Sequence, residues 1–505
     1  MTKVHQIISD TTLTYHQMML SLAKLAESED SASLPRTPEE LEALKDGILC
    51  DLNEGLVPFR PRYIIPDYAK FMKQGSAFLD LKAPEDLWEA CNSLLILYRH
   101  VPSITSFPVY LGNLDELLEP FVLELDEKTA KKCLGLFLTN IDRTLTDSFV
   151  HADLGPKESV TGRLILELTE EMQLAIPNLT LKYDPEQTSD EFAQLCLKCM
   201  LNTAKPSFAN HSMFVEEWTE NYAIASCYNG LTVGGGGFTL PRMRMYETAL
   251  KSSSIDDFLD NVLPHYVKLM CQFMDKRVRF IVEESAFFKS NFLVTEGLLE
   301  LEKFTGMYGM VGLAECVNYL LNIKDPKQGY GNNPEADALG VRIMARLDEL
   351  VSSHVAPYCD AFGHHYRLHA QVGIDSDGRE NSPGARIPIG CEPDMASHIL
   401  HSTKFHKYFP TGIGDIFKFE ETWIKTPEAL LDIIKGALAG GMRYFSGYLE
   451  NNDVVRVTGY LVKKSELAKL DNHQQSLNNC SIFGVGARDT SDALDRRVEA
   501  YEGTD

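Results

Sequence analysis

The segment Val454–Val462 reads VVRVTGYLV, and its one glycine, Gly459, interrupts an apolar run rich in β-branched residues. Such residues favour strands, whereas glycine inside a strand weakens it and marks a bulge, a bend or a close approach of two backbones. For an isolated glycine a bulge or bend is the better explanation. This glycine lies within Arg-Val-Thr-Gly-Tyr at 456–460, near the end of the chain, and a resemblance carried by this motif favours a functional role instead.

A second unusual stretch lies near the middle of the chain. The segment Asn221–Pro241, NYAIASCYNGLTVGGGGFTLP, has no charged residue, although the whole chain carries a formal net charge of -24. It is too polar and glycine-rich for a membrane span, so we expect a buried strand and loop with Cys227 at the turn. No Gly-Lys-Ser/Thr follows Gly234–Gly237, so crowded backbone packing is favoured over phosphate binding.

Because of these two stretches, the chain resembles the glycyl radical enzymes, and in detail the YjjI family. Arg-Val-Thr-Gly-Tyr matches the Arg-Val-small-Gly-Tyr signature of these enzymes, in which the glycine loses a hydrogen atom. The resemblance implies that Gly459 stores the radical and that Arg456 and Tyr460 support its loop. Glycine suits the role, because a planar Cα radical delocalises over the flanking amide and carbonyl and a side chain would crowd it.

The resemblance also assigns a role to Cys227. The superfamily carries a cysteine on a loop inside the barrel, which becomes a thiyl radical and attacks the substrate, and Cys227 matches by its place in the chain. The segments Gly234–Met243 and Phe409–Tyr444 are similar to anaerobic ribonucleotide reductases. The implied function is hydrogen abstraction from a small polar metabolite under anaerobic conditions.

The fold that the resemblance implies is α/β, a ten-stranded barrel surrounded by helices. We expect a mainly helical N-terminal region over 1–150, the barrel core with the thiyl loop over 151–425, and the glycine radical region over 426–505. The radical on Gly459 is the cofactor, and no bound metal is expected. A radical S-adenosylmethionine (SAM) activating enzyme, which carries the iron–sulfur cluster and the S-adenosylmethionine, is the implied partner, together with a small-molecule substrate and a second copy in a homodimer.

The chain departs from the named activities of the superfamily. Dehydratases and decarboxylases carry Cys-x-Glu, whereas Tyr228 and Asn229 follow Cys227. The adjacent cysteines of pyruvate formate-lyase and the four-cysteine zinc site of the reductases are missing from the sequence, since Cys480 alone follows Gly459. Lyase and oxidoreductase chemistry therefore both stay open, and Asn229 occupies the position that usually decides between reactions.

Other residues could carry acid–base chemistry or only shape a loop. Cys391, Glu392 and Asp394 lie in a glycine- and proline-rich loop, where they could supply a second thiol or a carboxylate, or form a solvated turn. The segment His364–His369 (HHYRLH) has no H-E-x-x-H pattern, so hydrogen-bonded or substrate-binding histidines are favoured over a metal site. Cys196-x-x-Cys199 has no second pair, which favours core packing.

Composition excludes several classes of protein. With 505 residues, 44% of them hydrophobic, the chain is an ordinary globular protein, and its negative charge disfavours nucleic acid and anionic membranes as partners. Eleven cysteines without an apolar leader at the N-terminus indicate free thiols in a reducing cytoplasm. No apolar run is long enough for a membrane span.

Helices are predicted over about 160–175, 189–203, 255–275, 295–322 and 335–352, and from Pro427 to about Tyr444. Strands are predicted at Tyr222–Ser226, Arg277–Val282, Asn291–Val294 and Val454–Val462, an alternation that favours an α/β fold. Two other functions remain open: a nucleotide or nucleoside reductase, suggested by the Leu-Pro-Arg segment at 240–242, and a non-catalytic metabolite-binding barrel.

Overall fold

Helices alternate with short buried strands in the computed structural model, which describes residues 2–29, 34–50, 60–103, 106–371, 381–449, 451–456 and 459–477. This arrangement confirms the α/β class. The helices, numbered in chain order, are α1 (Lys3–Ser9), α2 (Tyr15–Glu29), α3 (Pro38–Lys45), α4 (Tyr68–Gln74), α5 (Leu87–Tyr98), α6 (Leu114–Val122), α7 (Glu127–Thr144), α8 (Val160–Met172), α9 (Asp190–Thr203), α10 (His211–Trp218), α11 (Met245–Ala249), α12 (Ile255–Asp257), α13 (Leu263–Arg279), α14 (Phe287–Ser290), α15 (Phe292–Thr295), α16 (Leu313–Leu320), α17 (Pro334–Ser353), α18 (Met395–Ser402), α19 (Pro427–Ala439) and α20 (Lys464–Asp471).

The strands are short and mostly buried along their whole length. In chain order they are β1 (Leu49–Cys50), β2 (Tyr63–Ile65), β3 (His151–Leu154), β4 (Asn178–Tyr183), β5 (Ser207–Asn210), β6 (Tyr222–Ala225), β7 (Asn229–Thr232), β8 (Gly235–Gly237), β9 (Arg242–Arg244), β10 (Phe304–Thr305), β11 (Met307–Val311), β12 (Arg367–Ala370), β13 (Asp415–Phe419), β14 (Tyr444–Leu449), β15 (Val454–Arg456) and β16 (Leu461–Lys463).

Two larger sheets organise the molecule. One has the order β13-β14-β5-β4-β3, with parallel pairing within β3-β4-β5 and within β13-β14 and an antiparallel pair between β14 and β5. The other has the order β1-β9-β11-β12, in which β9, β11 and β12 are parallel. The strands β10, β8 and β2 form a third sheet, and β6-β7 and β15-β16 are separate antiparallel hairpins. Parallel strands joined by helices are the expected product of alternating β and α segments.

Helix α9 illustrates how the sequence sets local structure. Ser189 caps its N-terminus by accepting a hydrogen bond from the Phe192 N–H, and Asp190 lies in its first turn, where the helix dipole favours a negative charge. Its buried face includes Cys196 and Cys199, which confirms the prediction that this Cys-x-x-Cys packs in the core. The predicted helices near 160–175, 189–203 and 335–352 are likewise confirmed as α8, α9 and α17.

Two predicted strands are wrong. Arg277–Val282 belongs to α13 and its π-helical continuation, Phe280–Glu284, and Asn291–Val294 contributes to α15. The β-branched run near 278–282 ends a longer pattern of buried residues at helical spacing, and that longer pattern decides the structure: Val267, Met270, Cys271, Met274, Val278 and Ile281.

Two predicted helices extend too far. The segment 295–322 contains β10 and β11, and only its end forms α16. Phe304–Val311 is a largely apolar run containing two glycines, and this composition suits a strand buried on both faces rather than a helix. Helix α19 ends at Ala439, because Gly441 has φ +101° and turns the chain into β14.

Across the described ranges, no helix has both the length and the apolar character needed to cross a membrane. The predicted region boundaries at 150 and 425 stay predictions.

Candidate active site

The hairpin of β6 and β7 presents Cys227 at its tip. Ala225 pairs with Asn229, so Ser226, Cys227 and Tyr228 form the connecting turn. Ser226 has φ +60°, a left-handed conformation that costs a non-glycine residue free energy and that persists only where surrounding contacts hold it. The window Asn221–Pro241 is mostly buried, as its lack of charge predicted.

The glycines of this window allow neighbouring backbone segments to pack closely against them. A Cβ atom on Gly235 would overlap the Lys303 carbonyl, and one on Gly236 would overlap the Tyr63 carbonyl. Backbone crowding, rather than phosphate binding, therefore explains the glycine run, as predicted.

Hydrogen bonds to its backbone fix the turn that carries Cys227. The Ser226 N–H donates to the Val109 carbonyl at 2.9 Å. His151 Nδ1 lies 3.0 Å from the Ser226 carbonyl oxygen, and the Tyr444 hydroxyl donates to the Cys227 carbonyl at 3.1 Å. Because three bonds from different elements meet on two residues, the sulfur has a defined position.

His151 is a neutral member of this set. Burial lowers the pKa of its imidazole to about 3, so the ring carries one proton at neutral pH. Since Nδ1 faces a carbonyl oxygen, that proton belongs on Nδ1, and Nε2 accepts from the Thr180 hydroxyl at 2.8 Å. Thr180 Oγ1 lies 2.7 Å from the Tyr444 hydroxyl oxygen, so the Tyr444 proton is shared between Thr180 Oγ1 and the Cys227 carbonyl, and the groups behind the cysteine stay uncharged.

Gly459 lies directly against Cys227. It is buried between β15 and β16, and a Cβ atom built on it would overlap Cβ and Sγ of Cys227. The space beside the cysteine therefore requires glycine at this position. The hairpin β15–β16 replaces the single predicted strand over Val454–Val462, and residues 457–458 of the motif lie outside the described residues.

A buried arginine and an asparagine hold the carbonyl of Gly459. Arg456 Nη2 donates to Asn178 Oδ1 at 3.0 Å and to the Ala204 carbonyl at 2.9 Å. Asn178 Nδ2 donates to the Gly459 carbonyl at 3.3 Å. The role of Asn178 was not predictable from the sequence, since a single asparagine at the start of a strand, far from the motif, carries no local signal. Tyr460 is also buried.

The thiol of Cys227 is protonated at neutral pH. Burial raises its pKa to about 11, against smaller opposing effects of the Ser226 hydroxyl and of the charges on Arg456 and Arg62. A thiolate is the form that acts as nucleophile or metal ligand. A protonated thiol instead keeps an S–H bond that can exchange a hydrogen atom with a neighbouring radical.

Of the predicted loop residues Cys391, Glu392 and Asp394, the two carboxylates make local contacts. Asp394 caps α18 by accepting from the Ser397 N–H at 3.1 Å, and Glu392 accepts from the Gly390 N–H at 2.6 Å. Cys391 is only partly buried. These contacts fit the solvated-turn alternative.

In contrast to these loop residues, Asn229 lies within the β6–β7 hairpin, and His369 lies beside it. Asn229 is buried at the start of β7. His369 is buried in β12, where its Nδ1 lies 3.1 Å from the Thr411 carbonyl and its ring centroid lies 5.8 Å from that of Tyr228. Within the described part of the chain, no group of three His, Cys, Asp or Glu residues could hold a metal ion. Cys480, the one cysteine that follows Gly459 in the sequence, lies outside that part.

Two related proteins match the chain over nearly its full length. An uncharacterized protein of Haemophilus influenzae is 42% identical over 495 residues, covering 97% of this chain and 96% of that protein. The uncharacterized protein YjjI of Escherichia coli strain K12 is 40% identical over 504 residues, covering 99% of this chain and 96% of that protein.

Solved structures with low sequence identity share the fold. The anaerobic ribonucleotide reductase from Thermotoga maritima with dATP in its specificity site has a TM-score of 0.71 at 14% identity, covering 92% of this chain and 93% of that one. The glycerol-bound B12-independent glycerol dehydratase from Clostridium butyricum has a TM-score of 0.66 at 12% identity, covering 92% and 86%. The family model for glycyl radical enzymes of the YjjI-like type matches residues 13–499. The chain belongs to this YjjI-like family of glycyl radical enzymes.

Proposed function

We propose that this protein is a radical catalyst in which Gly459 stores an unpaired electron, Cys227 receives it, and the resulting thiyl abstracts hydrogen from a small polar metabolite. The observation that carries the proposal is the contact between the two residues, which leaves no room for a Cβ on Gly459. Hydrogen-atom transfer needs its two heavy atoms close together, and this contact supplies that proximity without rearrangement.

Each step moves one hydrogen atom and no net charge. A radical SAM activating enzyme removes one hydrogen atom from the Gly459 Cα. The S–H bond of Cys227 then breaks as a C–H bond reforms on Gly459, and the sulfur radical next takes a hydrogen atom from a substrate carbon, restoring S–H. The high pKa of the thiol supports this sequence, because a thiolate would have no hydrogen atom to give.

Arg456 and Asn178 act as positioning residues for the radical glycine. The guanidinium polarises the Asn178 amide, which makes its N–H a stronger donor to the Gly459 carbonyl. That bond fixes the plane of the carbonyl over which the unpaired electron delocalises. Two side chains far apart in the sequence thereby stabilise the stored state.

Activation requires that Gly459 become accessible to a second protein. The hairpin β15–β16 that flanks it is a two-stranded sheet of its own, outside the two larger sheets. It can therefore move outward without breaking a ladder of either larger sheet, at the cost of the Asn178 and Arg456 hydrogen bonds.

The proposal is tested by anaerobic activation followed by electron paramagnetic resonance. We expect a doublet from a glycyl radical in the wild type and no such signal in Gly459→Ala. A matched control, Gly436→Ala, replaces a helical glycine whose added Cβ would meet no atom within 4 Å, and it should activate normally. A wild type that gives no signal with an activating enzyme shown to cleave S-adenosylmethionine would contradict the proposal.

A further inference from the structure

The hairpin that carries Cys227 is a two-stranded sheet, so one edge of β6 pairs with no strand in the described part of the chain. In an antiparallel pair, alternate residues direct their backbone N–H and C=O groups away from the partner strand. In β6 and the turn that follows it, those residues are Tyr222, Ile224 and Ser226. A two-stranded hairpin is marginally stable by itself, and the groups along its outer edge need partners when they are buried.

Side chains of β3 and β4 bind this outer edge of β6. Lys182 Nζ donates to the Tyr222 carbonyl at 2.8 Å, and Asp153 Oδ2 accepts from the Ile224 N–H at 2.9 Å. His151 continues the series at the turn that follows. Three side chains thus occupy the hydrogen-bonding positions that a neighbouring strand would otherwise fill.

Strand register explains why these side chains lie together. The strands β3 and β4 are parallel, with His151 opposite Asn178. Asp153 and Lys182 follow further along the same two strands at even spacing, and residues at even spacing share one face of a sheet. One face of the β3–β4 pair therefore holds the cysteine hairpin through three residues and the Gly459 carbonyl through Asn178.

The two side chains that bind β6 itself are buried and hold each other in place. Asp153 is 0% exposed and Lys182 6%. Lys182 Nζ lies 3.5 Å from Asp153 Oδ2 and 4.3 Å from the centre of the Tyr222 ring. Burying such a pair is costly unless each partner makes further hydrogen bonds, and here those bonds go to β6. The pair is therefore coupled to the position of the hairpin.

The hydrogen bond to Ile224 does not depend on the charge of Asp153. Burial raises the pKa of the Asp153 carboxyl to about 7, and the Lys182 ammonium and the Ile224 N–H oppose this effect. Because both of these donors face Oδ2, a proton taken up near neutral pH belongs on Oδ1, which has no hydrogen-bond partner among the described residues. Oδ2 is thus an acceptor in either state, and an amide oxygen in its place could accept the same bond.

These bonds hold the hairpin close to the reacting sulfur. Ile224 lies only three residues before Cys227, so a slip or tilt of β6 at Ile224 is carried directly to the turn. The sulfur lies against Gly459, where a Cβ atom would overlap it. A misplacement of about 1 Å between two reacting groups can slow their reaction about a hundredfold. The attachment of β6 therefore bears on the rate of transfer between the two residues.

We propose that Lys182 and Asp153 are positioning residues for Cys227: they take the place of a neighbouring strand along β6 and so set the position of the sulfur beside the radical glycine. The inference rests on the proposed radical function for what the sulfur does, whereas the attachment of β6 is a property of the unactivated chain. Both residues act through the backbone of β6, and neither takes part in the hydrogen-atom transfers.

Hydrogen exchange measured by mass spectrometry on the full-length, unactivated protein tests the attachment. We expect the amides of the 222–232 peptide to exchange about tenfold faster in Asp153→Ala and in Lys182→Met, because each variant loses a hydrogen bond that holds β6. Asp153→Asn keeps an acceptor oxygen and should exchange at the wild-type rate.

Two variants serve as matched controls. Asp115→Ala removes another buried carboxyl, which accepts from the Gly155 N–H, and Lys276→Met removes the ammonium that pairs with the buried Glu40. Because these groups bind other elements, the 222–232 peptide should exchange in both controls as it does in the wild type. A thermal melt of every variant checks that it is folded.

In activated protein the same variants test the positioning role. The readout in D2O is the entry of deuterium at the Gly459 Cα, which requires hydrogen-atom exchange with the Cys227 thiol. We expect Asp153→Ala to form as much radical as the wild type, because activation acts on Gly459, but to take up deuterium about tenfold more slowly. Asp153→Asn should restore the wild-type rate, which a general loss of stability would not explain.

The outcomes separate this inference from the radical function. Exchange of the 222–232 peptide at the wild-type rate in both Asp153→Ala and Lys182→Met overturns the attachment. Faster exchange of that peptide with an unchanged rate of deuterium entry at Gly459 overturns the positioning role. A wild type in which no deuterium enters at Gly459 contradicts the proposed radical function instead, and the exchange of the 222–232 peptide still decides whether the two side chains hold β6.

Discussion

The two hairpins that meet at the candidate site are held in different ways. The Cys227 turn is fixed by bonds to successive carbonyls, from His151 at 3.0 Å and Tyr444 at 3.1 Å, through groups that stay uncharged. The Gly459 carbonyl accepts a longer bond, 3.3 Å, from Asn178. The cysteine is thus built into the core, whereas the glycine is held through a side chain that can release it.

This difference follows from what each residue must do. A thiol that attacks a bound substrate needs a constant position, and a neutral network gives one without competing charges. A glycine that an external enzyme must reach needs a hairpin that can leave and return. We therefore expect substitutions near Cys227 to reduce reaction with the substrate, and substitutions near Gly459 to reduce the yield of the glycyl radical.

The largest effect should come from the reaction of oxygen with the radical at Gly459. When the activated protein is exposed to air, O2 should react at the Gly459 Cα and break the backbone there, so that the C-terminal segment is lost. Mass spectrometry should find the truncated chain in the wild type and the intact chain in Gly459→Ala. An activated sample with a measured radical that stays full length in air would contradict the assignment to Gly459.

Removing the amide that holds the Gly459 carbonyl should reduce the radical without abolishing it. Asn178→Ala removes the hydrogen bond to the Gly459 carbonyl, a loss of roughly 1–3 kcal/mol, and takes an acceptor from Arg456 and from the Leu179 N–H. We expect a several-fold lower radical yield and a shorter lifetime by spin quantification over time. Asn261→Ala, an exposed asparagine of the Phe258–Val262 segment, is the control. Equal yields in the two variants would show that Asn178 has no positioning role.

Acidification should weaken the network behind the cysteine. Because burial lowers the pKa of His151 to about 3, the unfolded chain binds a proton there below about pH 6.5 and the folded chain does not. The stabilisation from the neutral imidazole is therefore complete above about pH 7.5 and falls by roughly 2 kcal/mol by about pH 5.

A mutant comparison isolates this histidine. Burial raises the pKa values of Asp115 and Asp153 to about 7, and these groups stabilise the fold as pH falls, which opposes the effect of His151. Their contribution cancels in the difference between wild type and His151→Gln. Urea unfolding should therefore show the wild-type advantage shrinking between about pH 7.5 and pH 5. An advantage independent of pH would mean that His151 is charged or replaceable in the folded protein.

The smallest effect is expected at the loop of Cys391, Glu392 and Asp394, for which the sequence left a role in acid–base chemistry open. Asp394→Ala removes the N-cap of α18 and should cost about 1 kcal/mol of unfolding free energy, measured by urea denaturation. Radical yield should not change, because the contacts of Asp394 are with its own helix. A variant that unfolds normally yet forms less radical or has a lower turnover would show that this loop is part of the active site.

The sequence predicted what is encoded locally. The Arg-Val-Thr-Gly-Tyr motif and the charge-free window identified Gly459 and Cys227, and the structure places these residues in contact, while their roles remain the proposal tested above. Helices with capping residues, such as α9, were also predictable, because the capping residue and the buried positions lie close together in the sequence.

The missed features depend on strands that are distant in the chain. Asn178, His151 and Tyr444 come from three strands of one sheet and meet at the hairpin tips only after that sheet has formed. The alignment of Arg242 in β9 with His369 in β12, through the strand β11 between them, likewise depends on strand register, which no local pattern reveals. Where the sequence misled, as at Arg277–Val282, a short β-branched run was outweighed by a longer helical period.

The most direct test of the central claim is hydrogen exchange at the radical glycine. In activated protein, the remaining Cα hydrogen of Gly459 splits its resonance into a doublet. If the radical passes to Cys227 and back, and the thiol exchanges with solvent, that hydrogen is replaced by deuterium in D2O. We predict that the doublet collapses to a single line in the wild type and persists in Cys227→Ser. A wild-type doublet that persists in D2O would contradict radical transfer between these two residues.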